Sequence, residues 1–214
     1  MKRRKGASMN QDPLIALIGI CYDQGSSFLR GTAGAPPLIR AALDSESSNR
    51  WTENGLNLTR ESILEIEDLT PRSETEMLGQ VEPAITALLQ RRLRPIALGG
   101  DHSVTYPILK AFAALYPEIT ILHFDAHPDL YDDFEGRRYS HACPFSRIME
   151  ANLAQRLVQV GIRTANGPQR KQAERFGVEM MEMKDWQDDL KLKFDSPVYI
   201  SLDLDALDPA FAPG

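Results

Sequence analysis

The chain has 214 residues, 43% hydrophobic and 25% charged, with a formal net charge of −6. Those figures suit one globular domain with a large core, and the acidic balance argues against nucleic acid as a partner while tolerating a small cationic one. Two cysteines, Cys21 and Cys143, cannot build a disulfide framework, so a reduced, cytoplasmic setting is expected. The basic start Met1-Lys2-Arg3-Arg4-Lys5 is not followed directly by an apolar signal core, and residues 1–12 read as a disordered tail. The run Leu14–Cys21 is too short to span a bilayer, so no membrane partner is expected.

From residue 13 onward, strand-like and helix-like runs alternate. Leu14–Cys21 reads as a strand, and Ala35–Leu43 as a helix opened by Pro36 and Pro37. Ser62–Leu69 is a second strand, followed by an amphipathic stretch at Glu74–Leu93 that Pro83 disturbs. Pro95–Leu98 is a third strand ending in Gly99-Gly100, and Val104–Tyr116 a helix closed by Pro117. Ile119–Phe124 is a fourth strand. Helix at Arg147–Gln155, strand at Leu157–Ile162, helix at Gln169–Phe176 and strand at Val178–Met183 follow, and Val198–Leu204 is the last strand. Such alternation predicts an α/β domain with a mostly parallel sheet and helices on both faces, over 13–214. In such sheets, sites form beyond the carboxyl ends of the strands.

Three clusters stand at those ends: Gly99-Gly100-Asp101-His102-Ser103, Asp125-Ala126-His127-Pro128-Asp129, and Ser201-Leu202-Asp203-Leu204-Asp205. If the strands continue, Asp125, His127 and Asp129 share one face, and so do Asp203 and Asp205. Unpaired charge at the end of apolar strands is costly, and a divalent metal removes that cost. Two imidazoles and four carboxylates, His102, Asp125, His127, Asp129, Asp203 and Asp205, suffice for two hard cations, manganese before any soft-ligand metal. The competing account is strand-end capping and surface ion pairs. Asp101 either orients His102 or caps the helix that follows, capping being favoured. His123 precedes the second cluster and reads as structural. The loop Leu130–Arg138 offers Asp132, Asp133 and Glu135 to a cationic tail, although a solvated charged loop is the commoner fate. His141 is either a proton-transfer group or an exposed loop histidine.

The three motifs, in this order, resemble the signatures of the ureohydrolase family: arginases, agmatinases and formiminoglutamases. The stretch from Asp125 to Glu150 is most similar to the plant-type arginase/agmatinase branch. The resemblance implies two Mn²⁺ per protomer. His102, Asp125, Asp129 and Asp203 would hold one ion, and Asp125, His127, Asp203 and Asp205 the other. It also implies a small cationic guanidino substrate, His141 as the proton-transfer residue, and a homo-oligomer, trimer or hexamer. The expected reaction is hydrolysis of a guanidino group to urea and an amine. Agmatine ranks first because the loop after Asp129 departs from the animal arginase pattern; arginine, or an inactive paralogue, is the alternative. Family members continue past the third motif with a glutamate-bearing segment and a strand central in an eight-stranded sheet. The chain stops at Ala212-Pro213-Gly214, so the expected three-layer α/β/α fold is incomplete at its C-terminus.

Overall fold

The computed structural model describes residues 14–212; the tail expected at residues 1–12 lies outside them. In chain order the elements are β1 (Ile15–Ile20), α1 (Ala35–Leu43), β2 (Ile63–Glu65), α2 (Glu74–Gln90), β3 (Arg94–Gly99), α3 (Thr105–Leu115), β4 (Thr120–Phe124), α4 (Pro144–Glu150), β5 (Arg156–Ile162), α5 (Gly167–Phe176), β6 (Glu179–Glu182) and β7 (Val198–Leu202).

Alternation along β1 builds the layers. Ala16, Ile18 and Ile20 face a core made by Met77, Val81, Ile85 and Leu88 of α2 with Ile108 and Ala111 of α3. The α2 positions recur at helical spacing and form one stripe. On the other face of β1, Gly19 lies so close to α1 that an added Cβ would sit 2.7 Å from that of Pro36. Helices thus cover both faces of a parallel sheet, giving the expected three-layer α/β architecture. The Ser73 hydroxyl caps α2 by accepting from Glu76 N–H at 3.1 Å. Pro83 does not break α2: it sits on the exposed side, where its missing hydrogen bond faces water.

The strands form two parallel groups, ordered β2-β1-β3 and β6-β5-β4-β7. A second core of Ile119, Ile121, Phe145, Ile148 and Leu157 supports the latter. Among the described residues, β3 and β7 each carry one edge with no strand partner. Both edges line one cleft of about 880 Å³, Ile96–Gly99 on one wall and Tyr199–Leu204 on the other. Ile200 and Leu202 are 62% and 60% exposed there, although they are apolar strand residues.

Several boundaries differ from the sequence reading. The fourth helix starts at Pro144 and stops at Glu150, not Arg147–Gln155. Proline at its first position presets the backbone, and left-handed Asn152 ends the turn. β2 shrinks to three residues because the chain leaves the ladder and rejoins it only through Leu69 beside Ile20. Most relevant to the site, β4 ends at Phe124 and β7 at Leu202. Strand alternation therefore does not align the aspartates.

Candidate metal centre

Backbone packing at the end of β3 sets His102. Gly100 N–H donates to Ile20 O at 3.0 Å and Asp101 N–H to Tyr22 O at 2.8 Å. A Cβ on Gly100 would lie 1.8 Å from Tyr22 O, so only glycine permits this approach. The Asp101 carboxylate accepts from Ser103 N–H at 3.0 Å and caps the turn His102–Val104, the capping role favoured from sequence. The turn carries His102 across to β7, where its Nε2 hydrogen-bonds with Ser201 Oγ at 2.9 Å. Its Nδ1 lies 2.9 Å from Asp129 Oδ2, 3.2 Å from Asp125 Oδ2 and 3.5 Å from Asp203 Oδ2.

Turns, not strand continuation, gather the carboxylates. Phe124 and Leu202 are register partners on neighbouring strands, which places Asp125 and Asp203 side by side. Asp125 Oδ1 accepts from His127 N–H at 2.6 Å, and Asp203 Oδ1 from Asp205 N–H at 3.1 Å. Each is an aspartate folding the chain back on itself two residues on. Asp205 Oδ1 then accepts from Ala126 N–H at 3.0 Å, tying the two turns together. His127 Nδ1 approaches Asp205 Oδ2 at 2.9 Å and Asp125 Oδ1 at 3.4 Å. Asp129 adopts a left-handed φ of 49°, which returns its carboxylate to His102. Gly161, at φ 95°, lets β5 pass so close that an added Cβ would lie 3.1 Å from Asp125 O.

The cluster carries more negative charge than its surroundings favour. Burial, with the Asp125 charge behind it, raises the Asp129 carboxyl above the ordinary range. Burial raises Asp203 as well. Asp125 goes the other way: its burial is outweighed by the imidazoles of His102, His123 and His127 close around it, which hold it far below that range. Asp125 and Asp205 push His127 up to about 10. Burial opposes charge on His102, but the Asp125 and Asp129 carboxylates raise it well above an ordinary imidazole. Even so, the buried Nδ1 of His102 has no well-directed hydrogen bond. A buried nitrogen facing three carboxylates, with hard oxygen donors on every side, fits a divalent cation once its proton is displaced.

His141 lines the same cleft. Its Nδ1 donates to Gly25 O at 2.8 Å, with Ser140 Oγ 3.2 Å away. Because a carbonyl only accepts, this bond leaves Nε2 as the unprotonated nitrogen of the neutral ring. The loop that presents His141 is pinned by buried Arg147, which donates to Asp132 O at 2.7 Å and Asp132 Oδ1 at 2.9 Å. The loop acids follow the commoner fate expected of them, away from the cleft. Arg147 first, then Arg138, neutralises Asp132, and Asp133 accepts from Gly136 N–H at 3.1 Å. None of Asp132, Asp133 and Glu135 lines the cleft; Tyr131 and Phe134 do. Nearby Cys143 is buried, and burial pushes its thiol up to about 12. Since thiolate is the reactive form, iodoacetamide at pH 8 should leave Cys143 unmodified until the protein is denatured. Prompt labelling of the native protein would contradict that environment.

All seven residues singled out from sequence, His102, Asp125, His127, Asp129, His141, Asp203 and Asp205, line one cleft. Sequence reasoning missed Ser201, whose only signal was its place two residues before Asp203, and Gln159, which packs against His123 and has no motif to mark it. His123 is fully buried, as a structural histidine would be, yet its Nε2 reaches Asp125 Oδ2 at 2.9 Å.

Comparison with known proteins places this cleft in a family. The family model described as "Arginase family" matches residues 14–214. Arginase 1, mitochondrial, of Arabidopsis thaliana is 45% identical over 216 residues, covering 93% of this chain and 63% of that protein. The chain thus spans less than two thirds of that relative. The structure of the arginase from Medicago truncatula superposes with a TM-score of 0.88 at 41% identity, covering 95% of this chain and 69% of that one. The agmatine ureohydrolase of Thermoplasma volcanium is more distant, with a TM-score of 0.80 at 26% identity and coverages of 94% and 70%. A Trypanosoma brucei arginase-like triple mutant bound with Mn²⁺ has a TM-score of 0.74 at 27% identity, with coverages of 96% and 70%. These relatives correct the cytoplasmic expectation: plant arginases 41–45% identical to the chain include several named as mitochondrial or chloroplastic. A low cysteine count does not separate one reducing compartment from another, so composition lacked the information. With its parallel strands, its cleft at their carboxyl ends and its match over 14–214, the chain belongs to the arginase family.

Proposed function

We propose that residues 13–214 form the metal-bearing domain of a manganese-dependent ureohydrolase that converts arginine to ornithine and urea. The observation carrying this reading is the convergence of six ligand-type side chains and His141 on one cleft. His102, Asp125, Asp129 and Asp203 would hold one Mn²⁺, and Asp125, His127, Asp203 and Asp205 would hold the second. Bound there, the metal pair supplies Lewis-acid activation of water. The chain's own residues do the rest. The aspartate turns hold the carboxylates so that Asp125 and Asp203 serve both positions. His141, its Nδ1 anchored on Gly25 O, presents Nε2 to pass a proton to the departing amine. Tyr131 and Phe134 line the cleft beside them.

Arginine takes precedence over agmatine, reversing the order expected from the loop sequence. The arginases from Arabidopsis and Medicago are 45% and 41% identical, against 26% for the agmatine ureohydrolase. Homo-oligomeric assembly, as trimer or hexamer, belongs to the same proposal and is open to sedimentation analysis. Urea release from arginine and agmatine, compared as kcat/KM in the full-length protein, tests the substrate. Arginine should be the better substrate, and a clear agmatine preference would overturn the assignment.

A further inference from the structure

We propose that His123 and Gln159 form a positioning pair that aims the Asp125 carboxylate at the metals without touching them. The inference rests on the metal reading above and concerns two residues outside its ligand set.

Gln159, on β5, is fully buried, as is His123 on β4. Gln159 Nε2 stands 2.6 Å from Pro128 O and 3.0 Å from His123 Nδ1. The amide cannot be turned over, because that would set two acceptor oxygens 2.6 Å apart at Pro128. Gln159 therefore spends one N–H on Pro128 O and the other on His123 Nδ1. His123 Nδ1 must accept, so the neutral ring carries its proton on Nε2. That N–H points at Asp125 Oδ2, 2.9 Å away, and donates to it. Phe145, with its ring centroid 4.1 Å from that of His123, restricts the imidazole plane. The chain of bonds runs from a backbone carbonyl inside the Asp-x-His-x-Asp turn, through Gln159 and His123, to the first aspartate of the same turn. It locks the carboxylate that serves both metal positions.

The donor atoms of His102, His123 and Asp125 lie within 4.8 Å of one another, so proximity alone makes His123 a ligand candidate. The hydrogen bonds argue otherwise: Nδ1 is occupied by Gln159, and Nε2 has a proton where a ligand needs a lone pair. Partners that orient a metal-bound group commonly matter about 10–100-fold in affinity.

The test uses full-length protein. Imidazole ¹⁵N NMR of metal-free, histidine-labelled wild type should show His123 protonated at Nε2 and bare at Nδ1; the reverse tautomer overturns the proposal and needs no variant to fold. Mn²⁺ titration, read by the EPR signal of the free ion, follows for His123→Leu, His123→Gln and Gln159→Glu. His123→Leu and Gln159→Glu should weaken binding about 10–100-fold. His123→Gln, which restores an N–H near the Nε2 position, should bind close to wild type. Equal weakness of His123→Gln and His123→Leu would make His123 a ligand, and wild-type affinity in His123→Leu would make it mere filling; either overturns the pair. Failure of the underlying metal reading looks different, since wild type itself would then bind no Mn²⁺, and the proposal would fall with it.

Discussion

His127→Ala is expected to empty or loosen one metal position, whereas His141→Ala should leave both filled and lower turnover. The two imidazoles line the same cleft but are held differently. His127 Nδ1 faces the carboxylates of Asp205 and Asp125 at 2.9 and 3.4 Å, the company of a ligand. His141 Nδ1 faces a backbone carbonyl from the loop after β1, the anchor of a group whose other nitrogen is kept free. Losing a proton-transfer group typically costs about 10²–10⁴-fold in rate, with metal content unchanged. Elemental analysis alongside steady-state kinetics separates the two. If His141→Ala loses metal as badly as His127→Ala, the division of roles is wrong.

The second large effect concerns the gap between β3 and β7. Ile96, Ile200, Leu202 and Leu204 are between 47% and 62% exposed, a poor state for apolar side chains on two strands and the turn that follows β7. Because the cleft is open, the unpaired edges meet water and do not suffer the full penalty of dry, orphaned groups. The deficit is mainly hydrophobic. Complete burial of such a side chain stabilises by about 1.5–3 kcal/mol, so covering half of each of four contributes on the order of 4 kcal/mol. That is a large part of a typical net stability of about 5–15 kcal/mol. Residues 1–214 expressed alone should therefore unfold at lower temperature than a version extended to the length of the plant arginases, and release no urea with excess manganese. His102 and Ser201 meet across this gap, so a sheet that closes or slips there moves His102 relative to Asp203. Equal unfolding temperatures and full activity in the short span would remove the argument.

Much of this was legible in the sequence because two periodic signals are strong. Apolar runs such as Ile15–Ile20 and Thr120–Phe124 alternate with helical stripes such as Met77, Val81 and Ile85, and that alternation fixes a parallel α/β architecture. The candidate site was legible for a related reason: ionisable groups at the ends of apolar strands need a partner. The manner of their convergence was not. Strand alternation offered a simple geometry for Asp125, His127 and Asp129, but β4 stops one residue earlier, and a side-chain-to-backbone turn replaces it. Such turns depend on a competition between ladder and side-chain hydrogen bonds that residue types alone do not decide. Gln159 was invisible because its role exists only once β5 lies beside β4. The loop acids kept to the surface role that was the commoner expectation for them. Their charge is conspicuous in sequence, but Arg147, a partner fifteen residues on, neutralises Asp132.

The most direct test of the central claim is metal stoichiometry. Full-length protein loaded with manganese, freed of excess ion and measured by elemental analysis should hold close to two Mn²⁺ per protomer. His102 and the two aspartate turns provide enough ligands for two positions that share Asp125 and Asp203. A reproducible value of one, with zinc preferred over manganese, would contradict a binuclear site and the hydrolytic reading built on it.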